Sequence, residues 1–164
     1  MKLPIMIFPL CMSLPVLAGD FDAWYFKFLS VERKIAGETC SANGEVVGAF
    51  TGKASGEISE DGRSFIEKFE YLYIPEEYHV KEKLVWTKGE DGVFRASAEF
   101  PPGNKFSCEL TVENENRYHL KTTFEDGRTC ETRAEIREDG VIHAVDTAKD
   151  EDGNMILKLK YTKT

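Results

Sequence analysis

Two glutamates stand where the alternation of a strand calls for apolar side chains. Glu67 shares its parity with Phe65, Phe69, Tyr71 and Tyr73, and Glu82 shares its parity with Val80, Leu84 and Trp86. A carboxylate on the dry face of a sheet is costly unless it is paired or solvated. Each is therefore a candidate polar anchor inside a cavity, or else a side chain that reaches water at a bulge or strand end. His143 is a third candidate, for a ligand-binding, metal-binding or acid–base role. It alternates with Val141 and Val145 against Ile142, Ala144 and Asp146, so the sequence leaves its face open. His79 follows the turn Pro75-Glu76-Glu77-Tyr78 and His119 lies on a polar face, so both read as solvated. No HExxH, CxxC, GxGxxG, GxSxG or phosphate-loop pattern occurs, and no Asn-x-Ser/Thr sequon either. No catalytic residue, metal ligand or cofactor is assigned. An enzyme with Glu82 or His143 as acid–base group stays behind two non-enzymatic readings.

Residues 1–18 read as a secretory signal peptide: Lys2, a nearly unbroken apolar stretch, then Val16-Leu17-Ala18 as a small-residue cleavage site. A membrane anchor is the rival. The stretch is shorter than the ~20 residues that span a bilayer, and Pro4, Pro9 and Pro15 interrupt it. The expected location is periplasmic or secreted, with residues 19–164 as one domain. Without Lys2 the balance is 20 basic against 29 acidic side chains, which disfavours nucleic acid and anionic membranes as partners. Cys40, Cys108 and Cys130 remain after cleavage, an odd count that in an exported chain predicts one disulfide and one leftover thiol.

The elements that must position these residues are strands. Asp61-Gly62, Asp91-Gly92, Asp126-Gly127, Asp139-Gly140 and Asp152-Gly153 punctuate alternating segments, the signature of hairpins with type I′ turns. Nine strands are predicted, at 46–57, 63–74, 79–88, 93–100, 105–113, 117–125, 128–138, 141–149 and 154–162. Before them, residues 20–36 read as a helix, with Phe21, Trp24, Tyr25, Phe28, Val31 and Ile35 on one face and Gly37 as its stop. An aromatic-rich strand competes there.

So many twisted strands with one dry face must roll up. An all-β, antiparallel up-and-down barrel of about nine or ten strands is expected, with a two-sheet sandwich as the rival. Nine strands cannot close in a wholly antiparallel way, so a tenth is hidden or the seam is open. The dry faces carry Phe106, Cys108, Leu110 and Val112; Tyr118, Leu120, Thr122 and Phe124; Cys130, Thr132, Ala134 and Ile136; Phe94, Ala96, Ala98 and Phe100; and Met155, Leu157, Leu159 and Tyr161. Small residues on one wall and aromatic ones on another leave either a cavity or interdigitated packing. Strand direction places all three cysteines at one end. Cys108 and Cys130 lie two strands apart, roughly 9.6 Å at about 4.8 Å per strand, beyond the ~7 Å a disulfide tolerates. Cys40 is thus the expected partner for one of them. The helix would plug that end, and a ligand would enter at the other, between the turns near Asp61, Asp91, Glu115 and Asp139.

The segment Gly48-Ala49-Phe50-Thr51-Gly52-Lys53-Ala54 resembles the calycin (lipocalin/nitrobindin-type) signature, Gly-x-Trp on the first barrel strand, with Phe50 in place of tryptophan. Gly48 and Gly52 match the GxWxGxG form of the nitrobindin-like branch and Ala54 departs from it. The resemblance implies a barrel that binds small hydrophobic molecules. Nitrobindins hold haem through a histidine near the C-terminus; His143 is the last histidine here, without a matching flank, and haem is not carried over. The expected function is an exported, non-enzymatic barrel that holds a small hydrophobic or amphipathic ligand. Its lining would be Phe50, Phe69, Tyr71, Glu82, Leu84, Trp86, Phe94, Leu110, Tyr118 and Leu120, with Glu67 or Glu82 as anchor. The alternative is a packed barrel that works through its surface, as an envelope-complex component or inhibitor.

Overall fold

The computed structural model of the 164-residue chain describes residues 31–60, 64–74, 77–99 and 103–164. The signal peptide, most of the predicted helix and the Asp61-Gly62 turn lie outside the described residues. Ten strands follow one another in chain order: β1 (Arg33–Ser41), β2 (Val46–Ile58), β3 (Ser64–Ile74), β4 (Tyr78–Lys88), β5 (Phe94–Glu99), β6 (Lys105–Asn114), β7 (Arg117–Phe124), β8 (Thr129–Ile136), β9 (Ile142–Lys149) and β10 (Met155–Lys163). Each pairs antiparallel with its neighbour, and β1 pairs with β10 to close the barrel.

The tenth strand is therefore β1, and it takes over residues 33–36, where the last turn of the predicted helix was expected. Gly37, expected as a helix stop, sits within β1. A Cβ there would come within 2.5 Å of the Lys160 carbonyl oxygen and 2.8 Å of Phe50 Cζ. The glycine marks a close crossing of strands.

The hairpin turns differ in type from the expectation. Gly92, Gly127, Gly140 and Gly153 have positive φ, but the aspartates before them do not. In the turn after β4, Gly92 N–H donates to the Gly89 carbonyl and Gly89 N–H donates to the Val93 carbonyl; the turns after β7, β8 and β9 repeat this. This is a type I turn closed by a left-handed glycine bulge. The aspartate side chains brace the same turns from within. Asp91, Asp126 and Asp139 each accept a hydrogen bond from the N–H two residues on.

Phe50 and Gly52 explain the signature segment. Phe50 is buried against Tyr71, Tyr73 and Tyr161. At Gly52 a Cβ would lie 2.2 Å from the Glu70 carbonyl oxygen, so only glycine lets β2 and β3 meet there. Gly52→Ala should cost about 1–3 kcal/mol, as overpacking does, measured by urea denaturation; an unchanged midpoint would contradict the close approach.

Strand direction gives the barrel two ends. The loops 42–45, 125–128 and 150–154 and the strand ends Ile74 and Glu99 lie at one, which also carries Cys40, Cys108 and Cys130 and is called the cysteine end. At the far end Phe65, Trp86, Phe94, Ile136 and Ile142 are almost wholly buried and pack as one cluster. β4 and β5 pair only through Thr87–Arg95 and Lys88–Phe94, so they part toward the cysteine end.

Candidate functional site

The interior is packed at the far end and hollow at the cysteine end. The hollow is a cavity of about 900 Å³. Its volume comes from side-chain size: small residues at Gly48, Ala49, Cys108, Thr122, Cys130 and Thr132 face it, whereas the bulky Trp86, Phe65 and Phe94 gather at the other end. This reverses the expected entrance. The chain enters β1 at the far end, at Arg33; the helix expected to plug the cysteine end lies outside the described residues.

Of the residues predicted to line the interior, Phe50, Phe69, Tyr71, Glu82, Leu84, Leu110, Tyr118 and Leu120 do line the cavity. Trp86 and Phe94 point inward but are 1% exposed within the packed cluster, too deep to touch an occupant. Met155 does not face inward. A register shift between Met155 and Leu157 breaks the alternation there and leaves Met155 exposed.

His143 pairs with Glu135 and Thr162, while its neighbours Ile142 and Ala144 hold the inner positions. It lies on the outer face, away from the cavity. His119 also faces outward, 3.9 Å from Glu131. Among the described residues no group of three or more His, Cys, Asp or Glu side chains is placed to hold a metal ion.

Both glutamates face inward, and two further charged residues that alternation alone did not single out join them. Asp146 shares the inner parity of Ile142 and Ala144, and Lys163 continues that of Leu157, Leu159 and Tyr161. The periodicity contained both; the ambiguous faces of β9 hid the first, and the chain end hid the second. Glu67 and Lys163 are each 4% exposed. Lys163 Nζ lies 3.9 Å from Glu67 Oε1 and 5.1 Å from the Phe69 ring centre, while Trp86 Nε1 donates to Glu67 Oε2 at 3.1 Å. Tyr161 donates its hydroxyl to Asp146 Oδ1 at 3.2 Å.

Burial raises the pKa of all three carboxyls. For Glu67, Lys163 and Trp86 oppose the rise; for Asp146, Thr132, Tyr161 and Lys163 oppose it. For Glu82 the neighbouring Glu67 charge adds to the rise. An aromatic wall stands beside them. Phe69 stacks on Tyr71 with ring centres 5.7 Å apart, and Phe50 meets Tyr71, Tyr73 and Tyr161 at 5.6–6.2 Å.

The three cysteines lie toward one end, as strand direction predicts, but all are free. Cys40 pairs in register with Lys158, whereas the cavity-facing residues of β10 are Leu157 and Leu159. The thiols of Cys108 and Cys130 line the cavity. Cys40 is thus on the opposite side of the wall and the expected bridge does not form. Cys108 and Cys130 both pair with Thr122 from either side, two strands apart. Burial pushes the Cys108 thiol up to about 11 and the Cys130 thiol up to about 12. In the folded protein at about pH 7.5, iodoacetamide should modify Cys108 roughly a hundredfold and Cys130 roughly a thousandfold more slowly than in denaturant. Alkylation of all three after denaturation without reductant is the expected result; a missing pair would contradict the free thiols.

No protein-family model matches the chain, and no curated protein matches it. Among solved structures, the S-type phycobiliprotein lyase CPES from Guillardia theta is similar, with a TM-score of 0.64 at 13% identity over 85% of this chain and 89% of that one. The protein EF1p2_mFAP2b, solved bound to DFHBI, has a TM-score of 0.42 at 11% identity, over 84% and 94% of the two chains. The first likeness is one of fold alone, and it agrees with the closed ten-strand antiparallel order.

Proposed function

We propose that this protein is an exported, non-enzymatic barrel that holds a small hydrophobic or amphipathic molecule in its cavity. The observation that carries this reading is the hollow half of the interior, about 900 Å³ walled by aromatic and aliphatic side chains with a few charged groups converging on it. Pockets that take small ligands have this size and this mix of walls. Burial of apolar ligand surface supplies roughly 25 cal/mol per Å² before the costs of association. The polar groups at Glu67, Glu82, Asp146 and Lys163 orient what binds. Displacement of an apolar fluorescent dye by 1-dodecanol tests this. One-to-one competition is expected, and no dye binding would contradict it. Export rests on residues 1–18 alone, and a mature N-terminus at Gly19 is the expected result of intact-mass analysis.

One observation favours a second role beside the first. Val46, Val47, Ile74, Met155 and Ile156 are exposed at the cysteine end, on β2, β3 and β10 beside the mouth. Exposed apolar residues gathered in this way mark contact surfaces, here one through which a partner exchanges ligand with the cavity. Val46→Glu with Ile156→Glu should slow ligand transfer to such a partner while leaving 1-dodecanol affinity unchanged, since neither side chain lines the cavity.

A further inference from the structure

The charges on the cavity wall do not balance. Glu67, Glu82 and Asp146 face it against Lys163 alone. Lys163 is already committed to Glu67, which also receives the Trp86 indole. Asp146 receives the Tyr161 hydroxyl. Glu82 receives no hydrogen bond or ion pair from any described residue, although it is half-buried, borders the cavity and pairs across the sheet with Phe69. A carboxylate at the chamber wall that no protein donor occupies is free to accept one from a ligand.

Two independent features point to the group that fills it. The rings of Phe50, Phe69, Tyr71 and Tyr73 border the same chamber as Glu82, and aromatic faces attract cations. The mouth is also acidic. The 150–154 loop carries Asp150, Glu151 and Asp152, the 42–45 loop carries Glu45, and the 125–128 loop carries Glu125 and Asp126 against Arg128. Arg128 is itself paired with Asp126 at 2.7 Å. Such a rim draws cations in and turns anions away.

Taking the cavity as the ligand site proposed above, we infer that its occupant is a cationic amphiphile, an apolar body carrying an amine, with Glu82 as the carboxylate that receives the ammonium. The apolar body lies along Leu84, Leu120 and Leu159, and the head sits between Glu82 and the aromatic wall. A fatty acid of the same length is disfavoured, because its carboxylate would meet three others and a lysine already in use.

Calorimetric titration of the purified protein at about pH 7.5 with dodecylamine, 1-dodecanol and dodecanoate tests this. Dodecylamine should bind at least about tenfold more tightly than 1-dodecanol, in line with a charge-assisted contact, and dodecanoate should be weakest. Glu82→Gln should bring dodecylamine to within about threefold of 1-dodecanol, the gain of a neutral hydrogen bond at most. Retained 1-dodecanol binding reports that the variant cavity is intact, and Glu82→Ala serves if Glu82→Gln does not fold. Dodecanoate binding as tightly as the amine would overturn the inference. So would an amine-to-alcohol ratio unchanged in the variant. Failure of all three probes to bind would instead overturn the ligand-cavity reading beneath it.

Discussion

Lys163→Met should lower stability by about 3–5 kcal/mol at neutral pH, the cost of stripping a buried charge of its partner. Lys163 Nζ lies 3.9 Å from Glu67 Oε1, and both side chains are 5% exposed. Burial already holds the Glu67 carboxyl above its ordinary range, and Lys163 is the first of the two groups that oppose the rise. Without the lysine the rise is larger. A carboxyl whose folded pKa exceeds its unfolded value contributes stability that is present below the unfolded pKa and lost as pH rises through the folded one. The deficit of the variant should therefore be greatest near pH 8 and shrink toward about pH 4–5, the ordinary range of a carboxyl in the unfolded chain. Lys163→Met combined with Glu67→Gln should recover most of the loss, since replacing both members removes the stranded charge. Urea denaturation of wild type, both single variants and the double variant at the two pH values measures this. Equal stability of wild type and Lys163→Met near pH 8 would contradict the buried pair.

Trp86→Ala should cost about 3–5 kcal/mol as well, for a different reason. Trp86 fills the far end together with Phe65, Phe94, Ile136 and Ile142, and its truncation leaves a void that fully buried neighbours cannot close. Glu67 loses its indole donor in the same step. Leu159→Ala removes an aliphatic side chain of the hollow half, where the cavity already stands on one side of it. Fewer contacts are lost, and about 1 kcal/mol is expected from the transfer of the removed atoms alone. Thermal or urea unfolding of both variants reads the contrast. Equal losses would mean that the two halves of the barrel are packed alike.

The faces of most strands were legible in the sequence because alternation is a local property. Tyr118, Leu120, Thr122 and Phe124 face inward as their parity requires, and so do Cys130, Thr132, Ala134 and Ile136. The first strand was not legible. Ile35 continues a helical spacing from the residues before it, and Gly37 reads as a stop until the close crossing of Phe50 and Lys160 is seen. Met155 shows the same limit at smaller scale, since a bulge resets parity without any mark in composition. Which end is hollow depends on how side-chain volumes from all the strands gather at each level of the barrel. Trp86 and Phe94 illustrate this: they face the interior, yet the height at which they enter it decides that they close one end and do not line the cavity. Glu82 was legible as a misplaced charge; its lack of a donor became visible only once Lys163 and Tyr161 were seen to serve Glu67 and Asp146.

The most direct measurement is of intermolecular nuclear Overhauser effects between 1-dodecanol and the methyl groups of the labelled protein. Contacts to Leu84, Leu120 and Leu159, with none to Ile136 or Ile142, are the expected result for an occupant seated in the half of the barrel that opens beside the cysteines. Contacts confined to Val46, Met155 and Ile156 at the rim, or spread over Ile136 and Ile142, would show that the alcohol does not occupy that chamber.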